Sequence, residues 1–319
     1  MALQLANDKN NEVLIATNKP KLINKKDEYP QNVSFTKVQN VLRLKSFNAD
    51  VIISCLWYSL FFCQGFERTT KIHTLHAFPD FVSYKIWKFN VMHLIDRILR
   101  RKFDYIVANS KFTKYLYESF FNIDIDGLYT IGLDANAISF LKVMNDKPNK
   151  RKQEILYVGR LVKAKHVDKA LEAATLLSLN EYTHFNVWGY GNEETNLRKK
   201  YSDNQKFIFH GAINHADVYK EYQKNKVFIS LNPAEPFGIT YEEAIANGLY
   251  VVASDTGGGV DFLKHYPDRC SLVDVNDVDS ITKGLKLGLE SNLRPLTDQE
   301  LDELSYSNTA DQIFRVTKK

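Results

Sequence analysis

Five short apolar runs, separated by stretches of helical periodicity, constrain the second half of this chain more than any other feature: ILYVG, FNVWG, KFIFHG, VFISL and YVVAS. Runs this short without apolar–polar alternation suit strands buried on both faces, the mark of a parallel sheet covered by helices. The stretches between them, Val167–Leu179, Glu193–Ser202, His215–Lys224 and Thr240–Asn247, supply the crossovers such a sheet requires. The second half is therefore expected to form a complete doubly wound α/β domain.

The first half repeats the pattern less completely. Strands are expected at Glu12–Thr17, Val33–Thr36, Val51–Cys55, Lys71–His76 and Tyr105–Asn109, and helices at Asn40–Phe47, Ser83–Arg100 and Lys111–Phe121. No glycine precedes Gly65, so the opening strand and Gly-rich turn of a nucleotide-binding half are missing from the pattern. Three explanations stay open: a longer native chain, a truncated or degenerate protein, or a partner chain that completes the sheet. The polar, aperiodic LKVMNDKPNKRK reads as a linker. The expected division is residues 1–140, a linker at 141–152, a second domain at 153–292, and a tail at 293–319.

Composition excludes several classes. A hydrophobic share of 44% and a charged share of 25% are those of a globular chain, not of a disordered or collagen-like one. The longest charge-free stretch, Val51 to Phe66, falls short of the ~20 apolar residues a membrane span needs. MALQLANDKNNE lacks the pattern of a secretory signal, and three scattered cysteines suit a reducing compartment, so a cytoplasmic protein is expected. Residues 1–150 carry a net charge of +7 and residues 151–319 a net charge of −3. That excess is too modest for a nucleic-acid partner but allows an anionic surface against the first half.

Eleven of the fourteen glycines follow residue 150, which directs the search for phosphate-binding loops to the second half. In LNPAEPFGITYEEAIANG a strand ends near Leu231, a proline-bounded turn presents Glu235, and a helix begins near Thr240. The backbone N–H groups of Phe237, Gly238 and Ile239 then stand at a helix N-terminus, which favours an anion. Glu243 is read in the first helical turn. Two carboxylates beside a phosphate site repel it unless they hold hydroxyls, and a sugar nucleotide carries hydroxyls on ribose and hexose. Upstream, Arg160 and Lys165 follow another strand end, where cations suit a diphosphate. The Gly189–Gly191 turn and SDTGGGVDF add two flexible loops at the same edge. Taken singly, each feature is also what an ordinary capped helix, solvated charge pair or tight turn would show.

The order GRL…K, G-x-G-x-E, EPFG-x4-E-A-x3-G and ASD-x-GG resembles the retaining family-4 glycosyltransferases (glycosyl transferases group 1) of GT-B fold, strongly over Ile155–Leu263. More weakly, HTLHAF resembles that family's first-domain histidine loop and DYIVANSKFTKYL its last N-domain strand and helix. The resemblance implies two Rossmann-like domains, with a nucleotide-sugar donor held mainly by the second, a saccharide or lipid-linked acceptor by the first, and a tail helix within 293–319 that crosses back to the first. It implies transfer with retention and without cofactor or metal, in bacterial surface polysaccharide or glycolipid synthesis. Glu243 would bind the donor ribose, Glu235 the transferred sugar, and the amides of Phe237, Gly238 and Ile239, with Thr240, Gly189 and Gly191, would line the donor. Arg160 and Lys165 would stabilise the departing diphosphate, and His76 would stand near the reacting sugar. Family members usually carry Gly where His166 stands.

Asp124–Asp126 and Asp277–Asp279 are D-x-D triplets like the metal-binding triplet of the other major glycosyltransferase fold, but they lie in polar connections away from these loops and read as structural. The segment from Lys85 to Lys102 mixes aromatic and basic residues, so it suits either a core helix or a peripheral helix on an anionic membrane at the inner face. Two alternatives share the fold: an inactive subunit that stabilises a partner glycosyltransferase, and a nucleotide-sugar epimerase.

Overall fold

The computed structural model describes residues 5, 6, 8–18, 29–55, 62, 63, 65, 66, 68–76, 91, 94, 97, 98, 100–145, 151–178, 180–305 and 307–318. These form two compact units, one of residues 1–131 with 306–319 and one of residues 132–305.

In the first unit, β1 (Val13–Ala16) and β2 (Val33–Thr36) pair in parallel, and α1 (Val41–Ser46) follows, capped by the Asn40 side chain. A second parallel sheet runs in the order β3 (Val51–Ser54), β4 (Thr70–Leu75), β5 (Tyr105–Ala108), β6 (Gly127–Leu128). Helix α2 (Lys111–Phe121) starts on the Ser110 side chain and buries Thr113, Tyr117 and Phe121. Most of the Lys85–Lys102 segment lies outside the described residues. Of the others there, Val91, Leu94 and Ile98 are exposed and Arg100 is buried.

The second unit opens with α3 (Ala135–Asn145), so residues 141–145, expected as linker, are helical. The Asp134 carboxylate accepts from the Ala137 amide at 2.9 Å, and Ala137, Ile138 and Leu141 are buried. Leu141 completes the buried stripe of this helix, so the helix carries Leu141, Val143 and Met144 into the segment read as linker. A six-stranded parallel sheet follows: β7 (Ile155–Val158), β8 (Phe185–Trp188), β9 (Phe207–Gly211), β10 (Val227–Ser230), β11 (Tyr250–Ser254) and β12 (Cys270–Val273). Its spatial order, β12-β11-β10-β7-β8-β9, reverses between β7 and β10, the switch point at which doubly wound sheets bind ligands.

Five helices cross over this sheet: α4 (Val167–Thr175), α5 (Glu194–Lys200), α6 (His215–Lys224), α7 (Ile239–Ala246) and α8 (Gly259–Leu263). Helix α9 (Val278–Glu290) then packs on α4 and β12, and α10 (Asp298–Glu303) closes the unit with a capping box on Thr297. The sheet is apolar on both faces, with Phe185, Val187 and Ile229 in one core and Leu156, Phe228 and Val251 in the other. The tail is thus divided. Residues up to Ser305 belong to the second unit, whereas α11 (Ser307–Arg315) packs Ile313 against Ile72 and Val107 of the first.

Candidate active site

The loops that leave β7, β8, β10 and β11 meet at one edge of the six-stranded sheet. After β7 the Tyr157 hydroxyl donates to the Arg160 carbonyl at 2.8 Å, which fixes the turn, and the Arg160 side chain is exposed. A single 3-10 turn (Lys163–Lys165) then presents Lys165, and His166 takes φ 48°, ψ 40° before α4 begins. That left-handed conformation is one that glycine adopts without a Cβ penalty, which accounts for the family's Gly at this position, and His166 keeps the same backbone.

The Gly189 turn after β8 packs directly on this segment. A Cβ at Gly189, whose φ is +143°, would stand 1.8 Å from the Gly159 carbonyl oxygen. One at Gly191 would stand 2.1 Å from that of Leu161. These glycines are therefore required for backbone contact between loops, whatever they do for a ligand.

The loop after β10 carries Glu235. Its Oε2 lies 2.6 Å from the Lys165 Nζ and accepts from the Asn232 amide nitrogen at 2.9 Å. Both members of the ion pair are about four-fifths buried, with 19% of the Lys165 and 20% of the Glu235 side chain exposed. Asn232 is itself fixed, because its Oδ1 accepts from the Ala234 amide at 3.2 Å. The loop after β11 clamps the same turn: Gly258 N–H donates to the Glu235 carbonyl at 2.6 Å and Thr256 Oγ1 to the Pro233 carbonyl at 3.2 Å. The SDTGGGVDF stretch is thus a brace rather than a free loop, and its last part is α8. The negative charge of Glu235 and burial together push the Tyr157 and Tyr241 phenols upward, with burial the larger cause for each.

Gly238 takes φ +92° and starts α7, placing the amides of Phe237, Gly238, Ile239 and Thr240 at its N-terminus. None of the four donates to an acceptor among the described residues, as expected of a helix start. Glu243 lies in the second turn of α7, not the first, because the helix begins at Ile239. It is 4% exposed, and its Oε2 accepts from the buried Tyr222 hydroxyl of α6 at 3.0 Å. The acid of the first turn is Glu242, whose pKa is pushed well up by burial and then by the charge of Glu243.

His76, in the first unit, follows β4. Its Nε2 lies 3.0 Å from Thr74 Oγ1, which donates to the Ser54 carbonyl, so the ring nitrogen is the donor. Nδ1 lies 2.9 Å from the Tyr129 hydroxyl, which also reaches the Leu75 carbonyl at 3.2 Å, and burial lowers the pKa of the imidazole. His73 is the core histidine of the pair: 2% exposed, with Nδ1 3.0 Å from Ser54 Oγ.

The structure brings together Arg160, Lys165, Gly189, Gly191, Glu235 and the α7 amides at one edge of the second unit. Two residues not expected from the sequence complete this edge, Asn232 and Tyr157, and a third, Tyr222, reaches Glu243 from α6. Asn232 was legible in principle, since N-P-A marks an Asx turn. The D-x-D triplets hold backbone: Asp126 accepts from the Ile106 amide at 2.7 Å, and Asp277 caps α9. No group of three or more metal-ligating side chains occurs among the described residues.

Comparison with known proteins agrees with this geometry. The family model for glycosyl transferases group 1 matches residues 142–305, and the chain belongs to that family. An uncharacterized 41.2 kDa protein in the cps region of Klebsiella pneumoniae is 26% identical over 259 residues, covering 76% of this chain and 70% of that protein. The GtfA subunit of a UDP-N-acetylglucosamine–peptide N-acetylglucosaminyltransferase from Streptococcus pneumoniae is 27% identical over 49% of this chain, which spans only 31% of that protein. Among solved structures, HepE of Anabaena in complex with UDP and glucose superposes with a TM-score of 0.68 at 14% identity, over 99% of this chain and 91% of that one. The fold is therefore GT-B, with Rossmann-like α/β units, and the protein is a glycosyltransferase of the group 1 type.

Proposed function

We propose that the chain transfers a hexosyl group, with retention and without a metal, from a nucleoside-diphosphate sugar to a saccharide or lipid-linked acceptor of a surface polysaccharide. The observation that carries this reading is the meeting of Lys165, Glu235 and the α7 N-terminus at the sheet's switch point. In transfer the bond between the anomeric carbon and the diphosphate oxygen breaks, the diphosphate leaving with the electron pair, while the acceptor hydroxyl oxygen bonds to that carbon and its proton passes to the departing diphosphate. Lys165, Arg160 and the amide dipoles offer fixed positive charge for it. Glu235 is placed to accept from sugar hydroxyls, and Glu243, oriented by Tyr222, from those of the ribose. His76 takes the role near the reacting sugar that the resemblance gives it, its ring held by Thr74 and Tyr129.

The cps-region relative supports a polysaccharide acceptor, and UDP in the HepE structure makes UDP-sugars the first donors to test. No described helix is long and apolar enough to cross a membrane. Contact with anionic lipid through Lys85–Lys102, at the cytoplasmic face, belongs to this proposal.

The test is a thermal-shift and turnover screen against UDP-, GDP-, dTDP- and ADP-sugars, with and without EDTA. One donor should raise the melting temperature by mass action and lose that effect in Glu243→Gln, which keeps an acceptor for Tyr222. A chain that answers to no donor alone, but does so beside a partner chain, would replace this reading with that of a stabilising subunit. Interconversion of free sugar nucleotides without acceptor would replace it with an epimerase.

A further inference from the structure

The Lys165–Glu235 pair poses a question that donor binding alone does not answer, because the cation meant for the diphosphate is already neutralised. The two partners are held unequally. Glu235 is fixed at its carboxylate by Asn232 and at its carbonyl by Gly258. Lys165 reaches it at the end of a flexible four-carbon stem, from a loop seventy residues away in sequence. At 19% exposure the ammonium is partly shielded from water, so its partner matters more than at an open surface.

We infer that Glu235 is an internal competitor for Lys165 that drives the nucleoside-diphosphate product out of the site. This rests on the donor-site reading above. While the sugar is attached, its hydroxyls donate to the Glu235 carboxylate, and Lys165 is shared with the phosphate. Once the sugar has been transferred, the carboxylate loses those donors and faces the anionic diphosphate directly. Repulsion between them, and recapture of Lys165 by a carboxylate that has not moved, weaken the product's hold. The pair seen in the structure is then the state to which each turnover returns.

The experiment is calorimetric titration of the purified chain with UDP, GDP, dTDP and ADP, repeated on Glu235→Gln and on the double variant Lys165→Met/Glu235→Gln. Glutamine keeps the size of the side chain and still accepts from Asn232, and the melting temperature of each variant checks folding. Glu235→Gln should bind the diphosphate that the wild type prefers about 10-fold more tightly, equivalent to about 1.4 kcal/mol. The gain should shrink in high salt and vanish in the double variant, while turnover falls and product inhibition strengthens. Equal or weaker binding by Glu235→Gln, or a gain that persists without Lys165, overturns the inference while the donor site stands. A wild type that binds none of the four diphosphates overturns the donor-site reading itself, and the inference with it.

Discussion

The two edges of the six-stranded sheet in the second unit both hold part-buried charge, but they treat it in opposite ways. At the amino edge Arg151 donates to the carbonyls of Tyr222 and Asn225, at 2.6 and 2.9 Å, and to that of Asn247. Its neighbours are equally occupied: the buried Glu154 accepts from Asn186 at 3.1 Å and pairs with His184 at 3.2 Å, and Asn186 donates to Asn225 at 2.9 Å. Burial alone lowers the Arg151 guanidinium to about 10, still protonated at neutral pH. At the carboxyl edge the partner of Lys165 is a single carboxylate, and the helix-start amides have no protein acceptor among the described residues. A charge bound to several backbone groups is structural, because no ligand can displace them all. A charge with one exchangeable partner is available for chemistry.

Substitutions at the two edges should therefore separate activity from stability. The largest effect is expected from Lys165→Ala: turnover of the sugar nucleotide should fall by ~2–4 kcal/mol of barrier, about 30- to 10³-fold, a loss well beyond the change in stability read in a denaturant titration. Arg151→Met should do the reverse. Leaving three carbonyls without their donor costs about 3 kcal/mol in a denaturant titration, while the folded fraction keeps its diphosphate affinity. Loss of activity per folded molecule in Arg151→Met would erase the distinction between the edges. Gly189→Ala should cost roughly 2 kcal/mol, because its Cβ drives the β8 loop off Gly159, and should weaken donor binding as well.

The smallest effect is a gain. Glu242 is 3% exposed, and one of its carboxyl oxygens is buried without a hydrogen-bond partner among the described residues. Its folded pKa lies well above the usual 4.5, so above that pH the unfolded chain releases a proton that the folded chain retains. Stability is then lost as pH rises from 4.5 towards the folded value. Glu242→Gln should raise stability at pH 7 by about 1–2 kcal/mol, with the advantage disappearing below pH 4.5 in thermal scans.

Much of this was legible in the sequence because it is local. Val33–Thr36, Lys111–Phe121 and His215–Lys224 fall where periodicity and capping residues place them. Two helices were hidden from periodicity: α3, which runs across the boundary expected at Leu141, and α8, whose first residue Gly259 follows Gly257 and Gly258 in a stretch that reads as loop. The left-handed His166 was legible through the family's preference for Gly, since histidine, though enriched at positive φ, adopts it too rarely to mark the position by itself.

By itself, the sequence determined the alternation of strands and helices and the motif loops at the strand ends. Those depend on neighbours within a few residues, and the burial pattern records them. The tertiary structure alone decided which charges meet. Parallel pairing of Val227 with Ile155 and of Phe228 with Leu156 places β10 beside β7, and so brings Glu235 to Lys165. The crossover of α6 likewise sets Tyr222 against Glu243. Strand order is a property of the whole sheet, fixed by the packing of two cores, and no short stretch of residues encodes it.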